Sequence, residues 1–183
     1  MHKSPKEKAW DGLAGALFRR AYSFGLSAIQ LAHVATAIAV QRDDANIEKS
    51  VFNGAHSPAM WFLVGFAFEL FLKSAILATG GSAKEIKTIG HDLVTALEKA
   101  EHSGLKISES TRTSIMVANR THDTRGENAF YFRYGESVRA DVEAPEAMIA
   151  SLKELLNQTA LLVDQPNASF DIFLVPFQID WTE

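Results

Sequence analysis

The stretch WFLVGFAFELFLKSAILATGG, residues 61–81, decides the fold of this chain. Its apolar residues surround the whole helical circumference, which is typical of a helix at the centre of a bundle rather than on its surface. Yet Glu69 and Lys73 lie in its middle, with the acidic residue first, the favourable order for an ion pair along one helix. Because desolvating two charges is costly, we expect this pair to lie at the bundle's edge or to meet polar groups from another helix.

The residues around this stretch predict the ends of the helix and a long helix before it. Ser57 is a typical N-cap, Pro58 suits the first helical position, and Gly80 with Gly81 ends the helix after Thr79. Upstream, apolar residues recur at three- and four-residue spacing over residues 6–41. The predicted apolar stripe consists of Trp10, Leu13, Leu17, Ala21, Phe24, Ala28, Leu31, Ala35 and Ile38.

Further helical segments complete an all-α fold. Residues 82–90 form either a short helical turn or a loop; one helix begins near His91-Asp92 and ends before Gly104, and the next covers about 108–120. A last helix begins at Pro145 and presents Met148, Leu152, Leu155, Thr159 and Leu162 on one face. We therefore predict one domain over residues 1–183, an antiparallel bundle of about five helices. Its core spans about 6–165, and 166–183 form an extended tail or arm.

Composition excludes several classes of protein. The chain has 183 residues, no cysteine and a net charge of -4, so a disulfide scaffold and a thiolate metal site are ruled out. Residues 21–40 carry no formal charge, but their Ser, Gln, His and Thr side chains are too polar for a lone membrane span. The first ten residues contain no apolar run of the kind a secretory signal requires. We expect a cytoplasmic protein without membrane attachment.

The sequence TIGHDLVTAL places Gly90, His91 and Asp92 at the start of a helix. Asp92 is expected to cap that helix by accepting hydrogen bonds from its free N–H groups. His91 can bridge to Glu69 or to a loop carbonyl, and a catalytic role or a polar binding contact remain alternatives. We interpret Glu69, Lys73, His91 and Asp92 as a structural polar motif, with participation in a functional site as the alternative.

The combination AFELFLKSAILATGG followed by KTIGHDLVTALEKA resembles a HEPN domain, an all-α module. The resemblance is strongest over residues 57–103 and looser for the first helix, the fourth helix and the segment FYFRYG. It implies a helical bundle of the four-helix type, often dimeric. Many such domains are metal-independent ribonucleases of toxin–antitoxin, abortive-infection and CRISPR systems, and others are inactive and bind nucleotides, RNA or proteins.

The ribonuclease members of that family share an Arg followed, after four to six residues, by His. No histidine of this chain has an Arg at that distance before it. Arg120 precedes His122, but a single residue separates the two, which is too short a spacing. The resemblance therefore implies the fold, and this departure argues against nuclease activity. As a consequence we assign no catalytic residue, and keep an atypical ribonuclease that uses Arg120 and His122 as the alternative.

The segment NRTHDTRGENAFYFRYG is the candidate ligand-binding region. Arginine guanidinium groups bind phosphate, tyrosines stack on bases, and a histidine can exchange protons near neutral pH. Its candidate nucleotide- or RNA-binding residues are Arg120, His122, Arg125, Tyr131 and Arg133. The structural alternative is a loop in which the arginines pair with nearby carboxylates and the aromatic residues fill the core.

No Gly-rich phosphate loop and no His/carboxylate cluster at metal-ligand spacing occurs along the sequence, so we predict neither a metal nor a cofactor. The apolar tail and the all-round apolar helix predict a homodimer. Three functions remain at this stage: recognition of RNA, a nucleotide or a protein partner; an atypical ribonuclease; and a purely structural partner protein.

Overall fold

The computed structural model describes residues 5–47, 51, 57–122 and 145–164. These residues form six helices and no strand: α1 Pro5–Gln41, α2 Ser57–Ala78, α3 Ala83–Ile89, α4 Leu93–His102, α5 Glu109–His122 and α6 Pro145–Leu162. The expected all-α bundle is confirmed. The segment that the sequence left as a turn or a loop is α3, which a Ser82–Glu85 capping box begins. The predicted C-terminal tail lies outside the described residues.

Helix α2 is the centre of the bundle, as its all-round apolar pattern predicts, because it contacts α1, α3, α4, α5 and α6. Fourteen of its residues are buried, including Phe68, Phe71 and Leu72 at the midpoint. The helix ends at Ala78, one residue before the expected Thr79, and Gly80 adopts a positive φ of 102° in the turn that follows. The apolar side chains of α2 therefore pack mainly against other helices of the bundle.

Helices α1 and α2 run antiparallel. The Ser74 hydroxyl donates to the Ala14 carbonyl at 2.8 Å, Phe18 packs edge-on against Phe71, and Phe24 packs against Phe66. Alanines dominate the buried face of α1, which lets the two backbones approach closely. Over residues 12–41, the buried apolar residues of α1 are Ala14, Phe18, Ala21, Ala28, Ile29, Ala32, Ala35 and Ala39.

The predicted apolar stripe of α1 is therefore only partly correct. Ala21, Ala28 and Ala35 are buried as expected, whereas Leu13, Leu17, Phe24, Leu31 and Ile38 are half-buried at the margin of the contact with α2. The buried face of α1 is formed mainly by alanines, with Phe18 and Ile29 as its large side chains. Val34 and Val40 are exposed on the far side. Both α1 and α2 are long and apolar enough to span a membrane, and 33% of that window of α1 is buried against 72% for α2.

Helices α4, α5 and α6 pack in antiparallel succession. Glu101 of α4 pairs with Arg112 of α5 at 2.6 Å. Between α5 and α6, the Ser151 hydroxyl donates to that of Ser114 at 2.8 Å. The Glu154 carboxylate of α6 accepts from the backbone N–H and the hydroxyl of Ser108, immediately before α5. A side chain of α6 thus binds the residue immediately before α5 and contributes to the register of the two helices.

The start of α4 is capped from two sides. The Asp92 carboxylate accepts from the Thr95 backbone N–H at 3.0 Å and from the Thr95 hydroxyl at 2.7 Å. The Asn119 side chain of α5 accepts from the Leu93 N–H at 2.7 Å. Asp92 is therefore the N-cap that its position in the sequence predicts. This cap holds the corner between α3 and α4 in place.

Replacing Asp92 with Ala is expected to lower the free energy of unfolding by about 1 kcal/mol, since it removes the capping oxygen while Asn119 still serves Leu93. Urea denaturation gives the value. Glu98→Ala is the matched control because it removes an exposed carboxylate of the same helix. Equal losses in the two variants would contradict the capping role.

Candidate functional site

Four polar side chains meet around the middle of α2, and we call Glu69, Lys73, His91 and His122 the Glu69 cluster. Glu69 is only 4% exposed. Its Oε1 accepts from Lys73 Nζ at 2.6 Å, and its Oε2 lies 3.0 Å from His91 Nδ1 and 2.6 Å from His122 Nε2. One buried carboxylate therefore joins α2, the corner between α3 and α4, and the end of α5.

Lys73 has a second partner away from α2. Its ammonium also donates to the Gly90 carbonyl at 2.5 Å. Gly90 has φ 65° and ψ -125°, a conformation that side chains disfavour, and this conformation lets the chain turn between α3 and α4. The charged pair inside the most apolar helix thus meets polar groups of another element, one of the two placements its sequence allows.

His91 is carried to Glu69 by the capped corner before α4. Its Nδ1 faces the carboxylate, and its side chain is 43% exposed. Among the residues that the structure describes, Nε2 of His91 has no hydrogen-bond partner. This imidazole is therefore oriented by a buried carboxylate on one side and accessible on the other.

His122, the last residue of α5, is enclosed more tightly, with a side chain 6% exposed. Its ring packs against Gly65 so closely that a Cβ at that position would lie 2.5 Å from Nδ1. It also meets the Phe66 ring edge-on, with centroids 5.0 Å apart. Gly65 in the central helix is thus the space into which the His122 ring fits.

Electrostatics keep Glu69 ionised. Burial raises the pKa of its carboxyl, but hydrogen bonds from His122, Lys73 and His91 together outweigh that effect and lower the pKa from 4.5 to about 2. The carboxylate thus keeps its negative charge throughout the physiological range and holds both imidazoles and the ammonium. The cluster is a hydrogen-bonded network around one buried, ionised carboxylate.

The same cluster includes a possible metal-ligand set. Three residues, Glu69, His91 and His122, each offer one ligand atom, and these three atoms lie within 4.8 Å of one another. The sequence showed no such set, because these residues are 22 and 31 positions apart and only folding brings them together. The expectation of no metal therefore rested on local spacing alone.

Beside the cluster an open groove of about 710 Å³ runs between α1 and α2. Its charged residues are Arg19 and Arg20, both exposed, and its aromatic residues are Phe24 and Phe66. Ala16, Ser23 and Leu70 complete the lining. Phe66 belongs to both features, since its ring also packs near His91, with centroids 6.3 Å apart, and against His122.

Two of the residues predicted to bind RNA differ in their exposure to solvent. Arg120 is exposed near the end of α5, whereas His122 turns inward to Glu69. Arg125, Tyr131 and Arg133 lie outside the described residues. Sequence reasoning missed the groove arginines, although the adjacent pair Arg19-Arg20 directly before a long uncharged run was a usable signal.

No family model, no curated protein and no solved structure matches this chain.

Replacing Lys73 with Ala is expected to lower the free energy of unfolding by ~3 kcal/mol or more, because it leaves the buried Glu69 carboxylate short of its cationic partner. Lys99→Ala is the matched control: Lys99 also forms a 2.6 Å ion pair, with Glu85, but both side chains are about 40% exposed. The control should lose less than ~1 kcal/mol. Similar losses in denaturant titrations would show that the Glu69 pair is not desolvated.

The Glu69 carboxyl is expected to titrate near pH 2, well below its ordinary 4.5. Since the folded pKa is the lower one, its stabilisation is fully present above pH 4.5 and is lost as the pH falls toward 2. A shift of this size corresponds to ~3 kcal/mol. The carboxyl ¹³C chemical shift of Glu69 measures the pKa directly, and a value at or above 4.5 would contradict the network.

Proposed function

We propose that this chain is a non-catalytic, HEPN-like binding domain whose groove recognises a phosphate-bearing ligand with an aromatic base, that is, a nucleotide or single-stranded RNA. The observation that carries the proposal is the groove between α1 and α2, where Arg19 and Arg20 lie beside Phe24 and Phe66. Phosphate and base are the two chemical groups that such a lining complements.

The two arginines are available for an anion. Both are exposed, and neither forms an ion pair with any residue that the structure describes. A guanidinium presents a planar fork of donors that suits phosphate oxygens, and it releases counterions when it binds a nucleic acid. Two adjacent guanidinium groups give the groove positive charge, although the whole chain carries a net charge of -4.

The aromatic residues supply a surface for a base. Phe24 and Phe66 pack together with ring centroids 5.7 Å apart, and Phe66 contacts Phe62 at 4.6 Å. Both groove phenylalanines are only half-buried. Stacking on such rings contributes about 1–3 kcal/mol for each base and is tolerant of sequence. A base on Phe66 would also lie near the accessible imidazole of His91.

The resemblance to HEPN domains supports the class of ligand. It rests on Glu69, Lys73 and the Gly90-His91-Asp92 turn, whose side chains here form the Glu69 cluster and the cap of α4. We retain the homodimer and the cytoplasmic location as parts of this proposal. A protein partner in place of the nucleotide or RNA is the outcome if neither of those ligands binds.

A metal-independent ribonuclease is the second candidate function. The surroundings of the two histidines favour His91 over the predicted His122 as its acid or base. His91 pairs through Nδ1 with an ionised carboxylate and has a side chain that is 43% exposed, an arrangement that suits an oriented general acid or base. His122 is 6% exposed and packed between Gly65 and Phe66, so it is poorly placed to reach a substrate. His91 therefore replaces Arg120 and His122 in this alternative.

Binding of a fluorescein-labelled single-stranded RNA is expected to weaken as salt rises, because arginine contacts release counterions. Arg19→Ala and Arg20→Ala should each weaken binding and each reduce the slope of log K against log salt by about 0.7. Phe24→Leu should cost about 1–3 kcal/mol if a base stacks there. Fluorescence anisotropy over a salt series measures all three effects.

Arg42→Ala is the matched control, since it removes an exposed arginine that follows α1 and lies outside the groove lining. Arg120→Ala tests the site that the sequence indicated. If Arg120→Ala weakens binding and the groove variants do not, the ligand binds at the end of α5 instead. Absence of RNA and mononucleotide binding at low salt would overturn the proposal.

Gel analysis of the same RNA separates the two candidates. The binding domain should leave the RNA intact. Cleavage by the wild type that is lost in His91→Ala but kept in His33→Ala, an exposed histidine of α1, would establish the ribonuclease instead.

A further inference from the structure

We propose that the Glu69 cluster binds one Zn²⁺ ion through Oε2 of Glu69, Nδ1 of His91 and Nε2 of His122. These three atoms lie within 4.8 Å of one another and come from α2, the α3–α4 corner and α5. Two imidazoles and a carboxylate are an established ligand set for zinc sites that keep one coordination position open. Imidazole ligands favour zinc, copper, nickel and iron over magnesium or calcium.

The geometry is close to that of a zinc site. The carboxylate oxygen is 3.0 Å from the His91 nitrogen and 2.6 Å from the His122 nitrogen. Tetrahedral ligands at about 2.0–2.1 Å from zinc lie about 3.4 Å from one another. Each imidazole nitrogen therefore has to move away from the carboxylate oxygen by less than about 1 Å. The two imidazole nitrogens, which lie within 4.8 Å of one another, have to take up the same spacing around the ion.

Groups around the ligands hold them in orientation. Gly65 and Phe66 enclose the ring of His122, and the Asp92 cap holds the corner that carries His91. Lys73 binds Oε1 of Glu69, which leaves Oε2 as a single ligand atom. The packing around His122 and the capped corner that carries His91 fix the direction of a ligand, and supports of this kind contribute to metal affinity.

The open position is on the side of His91. Glu69 and His122 have side chains 5% and 6% exposed, whereas that of His91 is 43% exposed. Zinc can therefore enter and leave past His91, and water can occupy the fourth position. The site fits an exchangeable ion rather than one locked into the core.

Lys73 limits the affinity. Its ammonium is 2.6 Å from the other oxygen of the Glu69 carboxylate, so it repels the bound cation. The site should consequently bind Zn²⁺ more weakly than a similar ligand set without a neighbouring cation. Replacement of Lys73 by Gln removes the charge, so the variant should bind Zn²⁺ more tightly than the wild type.

Isothermal titration of untagged protein with ZnCl₂, together with the visible spectrum after addition of Co²⁺, tests the site. We expect one ion per chain, a cobalt spectrum of low coordination number, and reversal by EDTA. His91→Ala should weaken Zn²⁺ binding by at least about a hundredfold, since loss of a direct ligand exceeds the 10–100-fold effect of losing a supporting residue. Circular dichroism checks that this half-exposed substitution leaves the fold intact.

His33→Ala in α1 and His102→Ala at the end of α4 each remove an exposed histidine that is not part of the Glu69 cluster, and both variants should bind Zn²⁺ as the wild type does. Equal affinity of the wild type and His91→Ala would overturn the proposal, because the ion would then bind at other histidines. A wild type without stoichiometric Zn²⁺ binding would overturn it as well. If Lys73→Gln folds and binds no more tightly than the wild type, the assigned position beside Glu69 is wrong.

Discussion

A single buried carboxylate is the constraint on which this bundle depends. Glu69 lies in the middle of the central helix, where an unpaired charge would be very costly, so donors must reach it from elsewhere in the chain. Lys73 comes from the same helix, and the two histidines from the start of α4 and the end of α5. Satisfying one charge therefore fixes the relative positions of three elements.

The remaining contacts follow from that arrangement. Lys73 fixes the Gly90 corner, and the corner places Asp92 where it caps α4. Asn119 of α5 adds a second cap to the same helix end. Helices α5 and α6 are joined by other polar contacts, in which the Glu154 carboxylate accepts hydrogen bonds from the N–H and the hydroxyl of Ser108. Apolar burial supplies most of the driving force, and these polar contacts select one register among those the apolar surfaces allow.

The groove and the cluster have different roles in the proposed function. The groove presents exposed arginines and half-buried rings, the groups that the proposed ligand would contact, whereas the cluster lies beside it. Phe66 links the two, because one ring lines the groove and also packs against His122. A change in the protonation of the cluster, or in an ion bound there, could thus shift the Phe66 ring that lines the groove. This proximity gives the proposed zinc ion a route to influence ligand binding.

The sequence by itself determined five of the six described helices, the Asp92 cap and the central place of α2, because these depend on periodicity and on residues a few positions apart. It also indicated that Glu69 and Lys73 either lie at the edge of the bundle or meet polar groups from another helix. It did not reveal which partners. His122 joins Glu69 across 53 residues, and Arg19 lies near Phe66 only because α1 and α2 pack antiparallel. Contacts of that separation depend on how whole helices pack, and so the tertiary structure alone brought the metal-ligand set and the groove together.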